Sequence, residues 1–214
     1  RPTVGVCVVF RDRTMNPQAP VPAHVRAGQQ PIFAAGDNGP VWRVQRGVVR
    51  LDRQGGEHPL PVWLALPGDL IGIEALCDLP YQFAATALTE CALQPVDLGT
   101  PAQRAALLQE ALLQQQRRGQ DMATLRTGQV GERVARLLSL MDLPWLGLDR
   151  SETQRADAVR AALPALRDMA LVVDAKTETV CRALGQLLPR RSPRSAAPQP
   201  RLRWPAAPLA GAAA

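Results

Sequence analysis

The chain changes character near residue 99, and this change limits the folds that it can adopt. Before it, short apolar runs alternate with Gly and Pro turns, as in "VWRVQRGVVRLDRQGGEH" and "PVWLALPGDLIG". After it, residues 101–127 contain one Gly and no Pro beyond Pro101. Closely spaced short strands predict a β-barrel or jelly roll, and the uninterrupted stretch predicts a long helix. The predicted fold class is therefore α+β, with the strands first and the helices after them.

The predicted β-barrel covers residues 25–98. Val41-Arg43-Gln45 against Trp42-Val44-Arg46 is a strand-like pattern. "DRQGGEH" is typical of a hairpin turn, because Gly55 and Gly56 can adopt positive φ. Residues 1–24 form a Pro-containing lead-in that we expect to be disordered. Met15 is the first Met in the chain and a candidate native start.

The predicted long helix, residues 99–127, carries a narrow stripe at alternating spacings of four and three. Such a stripe is typical of a two-helix coiled coil, and a small residue in it would let two helices approach closely. We therefore predict a homodimer, although packing of the helix on its own domain is the alternative. The stripe consists of Leu108, Leu112, Gln115, Gly119 and Met122.

Residues 128–188 predict a helical domain. "VGERVARLLSLMDLP" has the pattern of an amphipathic helix, residues 151–163 form a charged helix or linker, and two short apolar faces follow around Asp174 and Ala175. This order is typical of a helix-turn-helix, whose second helix can enter the DNA major groove. Thr177, Glu178, Cys181 and Arg182 lie opposite the second apolar face; Arg can bind guanine and Glu can accept a hydrogen bond from cytosine. A solvated helical hairpin is the alternative.

The net charge of +6 comes largely from the last 26 residues. They hold five Arg and no acid, whereas the rest of the chain has 20 basic and 19 acidic residues. DNA binding must therefore be argued from the motif and not from the charge. We expect residues 189–214, rich in Pro, Ala and Arg, to be disordered. The segment is either the product of a shifted reading frame or a basic tail that adds phosphate contacts.

Several functional classes find no support in the sequence. No apolar run approaches the length of a membrane span, and the four scattered Cys form no CxxC pair, so we expect no metal, no disulfide framework and a cytoplasmic setting. No metal triad, nucleophile elbow or P-loop is present, so we expect no enzymatic activity.

The order of these segments resembles the CRP/FNR superfamily of bacterial transcription regulators over roughly residues 28–188. "ETVCRAL" looks like the recognition helix of the family, "LPGDLIGIEAL" is similar to its pocket-forming turn, and "VWRVQRGVVRL" looks like its strand pair. The resemblance implies that Glu178 and Arg182 read a C·G pair and that Thr179 contacts phosphate. Thr177 sits where some members place a base-reading Arg, Cys181 stands between Val and Arg, and Lys176 precedes them.

The effector pocket implied by the resemblance contains Gly72 and Glu74. Members that bind cyclic AMP have an Arg downstream for the phosphate, where this chain has Tyr81 and Gln82. Arg118 and Gly119 stand where the Thr-Ser pair that meets adenine is expected; Arg118 is either a site for another anion or an exposed side chain. We therefore expect cyclic AMP not to bind, because a buried phosphate without a cation is costly.

Other family sensors also lack their ligands in this sequence. An iron–sulfur sensor needs clustered N-terminal thiolates, and only Cys7 is there. His24 and His58 lie in a lead-in and a turn, so we expect surface positions and not haem ligation. We expect no cofactor, and the effector is unknown. No wing hairpin is recognisable after Leu188, so the helix-turn-helix is expected without its wing.

The function predicted from these features is a sequence-specific DNA-binding transcription regulator that binds a palindromic promoter site as a homodimer. Its partners would be double-stranded DNA, a second copy and, as a further candidate, RNA polymerase, and no membrane. The alternative is a ligand-binding or protein-interaction module that has lost DNA regulation through its altered C-terminus. The neutral charge of residues 130–188, with eight basic and eight acidic residues, favours this alternative.

Overall fold

A computed structural model describes residues 23–25, 31–55, 59–148 and 152–189. These residues form two compact units, one up to Thr124 and one from Leu125 onward. Most of the predicted lead-in and all but the first residue of the predicted tail lie outside the described residues. So do Cys7, Met15 and His58, and the place where a wing would follow the last helix.

The first unit contains two four-stranded antiparallel sheets, which confirms the predicted β-rich N-terminal part. One sheet has the order β1-β8-β3-β6 and the other the order β2-β7-β4-β5. The strands are β1 Ala23–Val25, β2 Pro31–Phe33, β3 Trp42–Arg46, β4 Val49–Arg53, β5 Leu60–Ala65, β6 Leu70–Ile71, β7 Ala84–Ala87 and β8 Cys91–Pro95, with a 3₁₀ helix at Ile73–Cys77.

Two details of the strands differ from the expectations. The predicted lead-in extends to residue 24, but Ala23 and His24 already pair with Leu93 and Ala92 of β8. The "VWRVQRGVVRL" segment forms two strands that do not pair with each other: β3 pairs with β6 and β8, and β4 pairs with β5 and β7. The hairpin predicted at "DRQGGEH" is the β4–β5 pair, in which Arg53 faces Leu60.

Gly47 makes the corner at which the chain passes from one sheet to the other. Its φ is 88°, a value that L side chains rarely adopt. A Cβ atom at this position would lie 2.6 Å from the Cys91 Sγ atom and would also overlap the Glu90 carbonyl oxygen. Only glycine therefore fits the corner between β3 and β4.

The helices are α1 Pro101–Arg126, α2 Val130–Leu140, α3 Thr153–Ala162, α4 Leu166–Val172 and α5 Thr177–Leu187. The long helix and the amphipathic helix after it lie where they were predicted, and the charged segment before α4 is a helix and not a linker. Within the described ranges, no helix combines the length and apolar character needed to cross a bilayer.

Within the first unit, one face of helix α1 packs against residues of the β-rich part. A buried cluster joins Val41, Leu70 and Leu76 to Leu107 and Ala111 of α1. Burying each large apolar side chain contributes about 1.5–3 kcal/mol. In the second unit, α5 packs against α2 and α4, and the side chains of Val134, Leu137 and Leu138 in α2 are fully buried.

Candidate nucleic-acid interface

Helices α4 and α5 form the predicted helix-turn-helix. The turn contains Asp174, whose φ of 49° is left-handed, and the Ala175 N–H donates to the Ala170 carbonyl at 2.9 Å. This six-to-one hydrogen bond is the main bond of a Schellman motif, in which the left-handed residue is usually Gly. Asp174 can take this conformation because Asp tolerates a positive φ better than most residues do. Ala170 is 5% exposed, as expected for a small residue at a helix crossing.

Helix α5 has one buried and one exposed face. Val180, Ala183 and Leu184 are buried, and the amides of Thr179 and Val180 both donate to the Lys176 carbonyl in the first turn. The six residues predicted to bind DNA are all exposed. They are Lys176, Thr177, Glu178, Thr179, Cys181 and Arg182.

The charged groups on this face are not tied to one another. Glu178 and Arg182 are one helical turn apart, a spacing at which an ion pair can form. Neither side chain forms an ion pair or a hydrogen bond with another of the described residues. Among the described residues, the Arg182 donors and the Glu178 oxygens have no partner, so they can bind another molecule.

One residue of the implied effector pocket, Gly72, lies against the Tyr81 side chain. Its hydroxyl donates to the Pro40 carbonyl at 2.6 Å, and its ring centroid lies 4.0 Å from that of Phe33. Gly72 lies against the ring, since a Cβ there would be 2.5 Å from the Tyr81 Cε1 atom. Burial, opposed in part by a hydrogen bond and reinforced by the nearby Glu74 carboxylate, raises the pKa of Tyr81 to about 12. Tyr81 is therefore a neutral side chain that fills this space.

The other predicted pocket residues differ from Tyr81 in how exposed they are or in what they bind. Gln82 is exposed and Glu74 is half-buried. Arg118 is not the exposed side chain that was offered as one alternative: its guanidinium is 15% exposed and binds Asp69 at 2.6 Å and Asp121 at 2.7 Å. These two carboxylates already satisfy Arg118, so the structure does not leave it open to an anion.

The outer face of α1 carries most of the predicted dimer stripe. Leu108 is 40% exposed and Leu112 is 57% exposed, and Gln115 and Gly119 are exposed beside them. The exception is Met122, which is only 5% exposed in the single chain. The 4–3 spacing that placed Met122 on the stripe instead carries it onto the buried side at that point. Leu113, 51% exposed, is an apolar neighbour that the spacing missed.

The comparisons with known proteins agree with this arrangement. The chain is 33% identical over 129 residues to the transcriptional regulator LdrP of Thermus thermophilus, a match that covers 58% of this chain and 66% of that regulator, just under two thirds of its length. Among solved structures, it is similar to a CRP-family transcriptional regulator of Thermus thermophilus, with a TM-score of 0.58, 24% identity, and coverage of 77% of this chain and 83% of the other.

A second solved regulator, of the CRP/FNR family and also from Thermus thermophilus, matches with a TM-score of 0.52 and 25% identity over 78% of this chain and 85% of its own. No protein-family model matches. The chain is thus similar in sequence and in fold to CRP/FNR-family regulators, which confirms the predicted resemblance. These relatives are transcriptional regulators and not enzymes.

One residue that supports the helix-turn-helix was not predicted from the sequence. Arg133 of α2 donates from Nη1 to the Val173 carbonyl at 2.8 Å and to the Asp174 carbonyl at 3.2 Å. In the sequence, Arg133 is one polar position of an amphipathic helix, and nothing in that spacing identifies a turn 40 residues away as its partner. The absence of Gly at position 174 was the only signal that the turn needed support.

Proposed function

We propose that this chain is a sequence-specific DNA-binding transcription regulator that binds a palindromic promoter site as a homodimer. The observation that carries the proposal is the exposed polar face of α5, whose opposite, apolar face is buried in the unit that contains α2 and α4. A helix presented in this way can enter the major groove with its N-terminal residues against the base edges.

The proposed contacts follow from the chemistry of that face. Arg182 donates two hydrogen bonds to guanine and Glu178 accepts one from cytosine, with about 1–3 kcal/mol of discrimination for each good contact. Thr179 and Lys176 bind phosphate, which positions the helix without reading sequence. Thr177 and Cys181 lie beside the base-reading pair and limit which neighbouring bases fit.

Selection from random duplex DNA tests this proposal. The wild-type chain should enrich one palindromic sequence, and Arg182→Ala should lose the preference for guanine at one position in each half-site. Arg155→Ala is the matched control, because it removes an Arg of α3 whose exposed guanidinium binds Glu152 at the start of the same helix. Enrichment of the same sequence by Arg182→Ala, or of none by the wild type, would contradict the proposal.

The homodimer is proposed to form through the outer face of α1. Leu108, Leu112 and Leu113 expose apolar surface along one helix, and exposed Gly119 leaves room for a second helix to approach. Two copies would place two α5 helices on half-sites about one helical turn apart. Sedimentation velocity should show a dimer for the wild type and a monomer for Leu112→Glu. Leu60→Glu, at an equally exposed leucine of β5, should remain a dimer.

DNA binding is proposed to be independent of cyclic AMP. Support comes from Tyr81, a neutral ring that occupies the space beside Gly72 and carries no charge to balance a phosphate. A ligand that binds the folded chain raises its stability by about 2.7 kcal/mol at 100 times Kd. Adding cyclic AMP should therefore change neither the melting temperature nor the affinity for the selected DNA. A rise in either would show that the pocket opens.

The alternative, a module that has lost DNA regulation, predicts a different salt dependence. Residues 130–188 are neutral in sum, so a chain that attracts phosphate only through residues 189–214 would lose its DNA affinity when that segment is deleted. We expect the deletion to lower the salt slope while the selected sequence stays preferred. Loss of that preference with the deletion would favour the alternative. RNA polymerase remains the proposed further partner of the DNA-bound dimer.

A further inference from the structure

Arg133 connects α2 to the turn between α4 and α5. Both of its hydrogen bonds come from Nη1 and end on consecutive carbonyls, those of Val173 and Asp174. Val173 is the last residue before the left-handed turn, and α5 begins at Thr177. A single guanidinium from α2 therefore holds the segment that sets where α5 starts.

The turn has a specific need for such a donor. The last carbonyls of a helix have no partner within it, and they carry the negative end of the helix dipole. Asp174 adds a left-handed φ of 49° without being Gly, a conformation that an L side chain adopts only at an energetic cost. Two backbone bonds, Val173 N–H to the Met169 carbonyl and Ala175 N–H to the Ala170 carbonyl, close the end of α4. Arg133 adds the side-chain donor that binds the carbonyls of the turn. The Arg133 guanidinium therefore binds two carbonyls at the point where the backbone conformation is strained.

Helix α2, which carries Arg133, also packs against α5. One residue after Arg133, Val134 is fully buried, and Leu137 follows one turn later on the face that packs against α5. A shift of the turn relative to α2 would therefore tilt α5 on that apolar face. Base contacts require a defined position of Glu178 and Arg182, whereas phosphate contacts tolerate small displacements.

We infer that Arg133 is a positioning residue for base recognition, which acts by fixing the α4–α5 turn so that α5 meets the base edges in one orientation. This inference rests on the proposed function. A positioning role differs from a general role in stability. Loss of Arg133 should reduce the preference for the selected sequence more than it reduces the affinity for DNA of any sequence.

The test uses the full-length chain and two duplexes, the sequence selected by the wild type and a scrambled duplex of the same composition, at one salt concentration. In Arg133→Met, the ratio of the two affinities should fall by about tenfold, the factor that corresponds to about 1.4 kcal/mol. Arg133→Lys keeps a charged donor and should lose less. Arg155→Met, which removes one positive charge from α3, should leave the ratio within about twofold of the wild type.

Amide hydrogen exchange provides the readout of the turn itself. The Ala175 amide, which bonds Ala170 across the turn, should exchange faster in Arg133→Met, while the Ala156 amide, which bonds Glu152 in α3, should be unchanged. Equal acceleration at both amides would indicate general destabilisation and overturn the inference. So would an unchanged affinity ratio, or an equal loss of that ratio in Arg155→Met.

Three further outcomes are decisive. If Arg133→Met does not fold, Arg133→Lys decides. Wild-type values for both the affinity ratio and the Ala175 exchange rate overturn the inference, and a lower ratio together with faster Ala175 exchange supports it. If the wild type selects no DNA sequence at all, the proposed function fails and the inference falls with it. If the wild type selects a sequence and both Arg133 variants prefer it equally, only the inference fails.

Discussion

The guanidinium of Arg118 binds the carboxylate of Asp69 through two hydrogen bonds, with Nε 2.6 Å from Oδ2 and Nη2 3.2 Å from Oδ1. Burial alone would lower the pKa of Arg118, but its hydrogen bonds and charge interactions with Asp69 and Asp121 together raise it. Asp69 also accepts the Leu66 N–H at 2.8 Å in the turn before β6. The middle of α1 is therefore tied to the turn that leads into β6.

Removing Arg118 should destabilise the chain more than removing an exposed Arg. Arg118→Met leaves the carboxylate of Asp69, 6% exposed, without its cation, and breaking such a pair from one side costs about 3 kcal/mol. Arg155→Met breaks a pair in which the Arg is 62% exposed and should cost less than about 1 kcal/mol. Urea denaturation measures both free energies of unfolding. Equal losses would show that the Asp69 pair adds nothing beyond a surface contact.

Gln114 completes the open edge of β6. Its side-chain amide donates to the Leu70 carbonyl at 2.8 Å and accepts the Leu70 N–H at 2.7 Å, so one side chain replaces a neighbouring strand. Gln114→Leu should leave both buried backbone groups unpaired, at about 1–3 kcal/mol each. Gln116→Leu, at an exposed position of the same helix, should have little effect on unfolding. A matching loss in the two variants would mean that the edge finds other partners.

The face of α1 illustrates what the sequence could predict. The 4–3 spacing identified Leu108 and Leu112, and both are exposed as a partner-facing stripe requires. It could not identify the second stripe of Leu107, Ala111 and Gln114, because periodicity shows that a helix has an apolar face but not which surface covers it. Because Gln114 is polar, the sequence pattern places it on the exposed face, although it is buried. Its role depends on an edge strand 44 residues away.

The candidate site divides in the same way. The exposed positions of α5 and the left-handed Asp174 followed from local spacing and local backbone preference, which the sequence carries. The contact of Arg133 with the turn depends on how α2 crosses α4, and the division of β3 and β4 between two sheets depends on long-range pairing. Local patterns contain neither kind of information.

Two glycines with similar backbone conformations should respond differently to alanine. Gly47 and Gly68 have φ of 88° and 95°, so both variants carry the strain of a positive φ, about 1 kcal/mol or more. Only Gly47→Ala also forces a Cβ within 2.6 Å of Cys91 Sγ, whereas nothing lies within 4 Å of a Cβ at Gly68. Gly47→Ala should therefore unfold at a lower urea concentration than Gly68→Ala. Similar midpoints would show that the β3–β4 corner relaxes without loss.

Tyr81 should ionise about two pH units above a free tyrosine. It is the only tyrosine of the chain, so tyrosinate absorbance after a pH jump reports its pKa directly. Burial raises that pKa to about 12 in the folded chain, against about 10 when unfolded, so the folded state holds the proton more tightly. The stabilisation is complete below about pH 10 and is lost as the pH rises towards about 12. In denaturant the midpoint should return to about 10. A folded midpoint near that of free tyrosine would mean that the phenol is solvated and that the space beside Gly72 is open to a ligand.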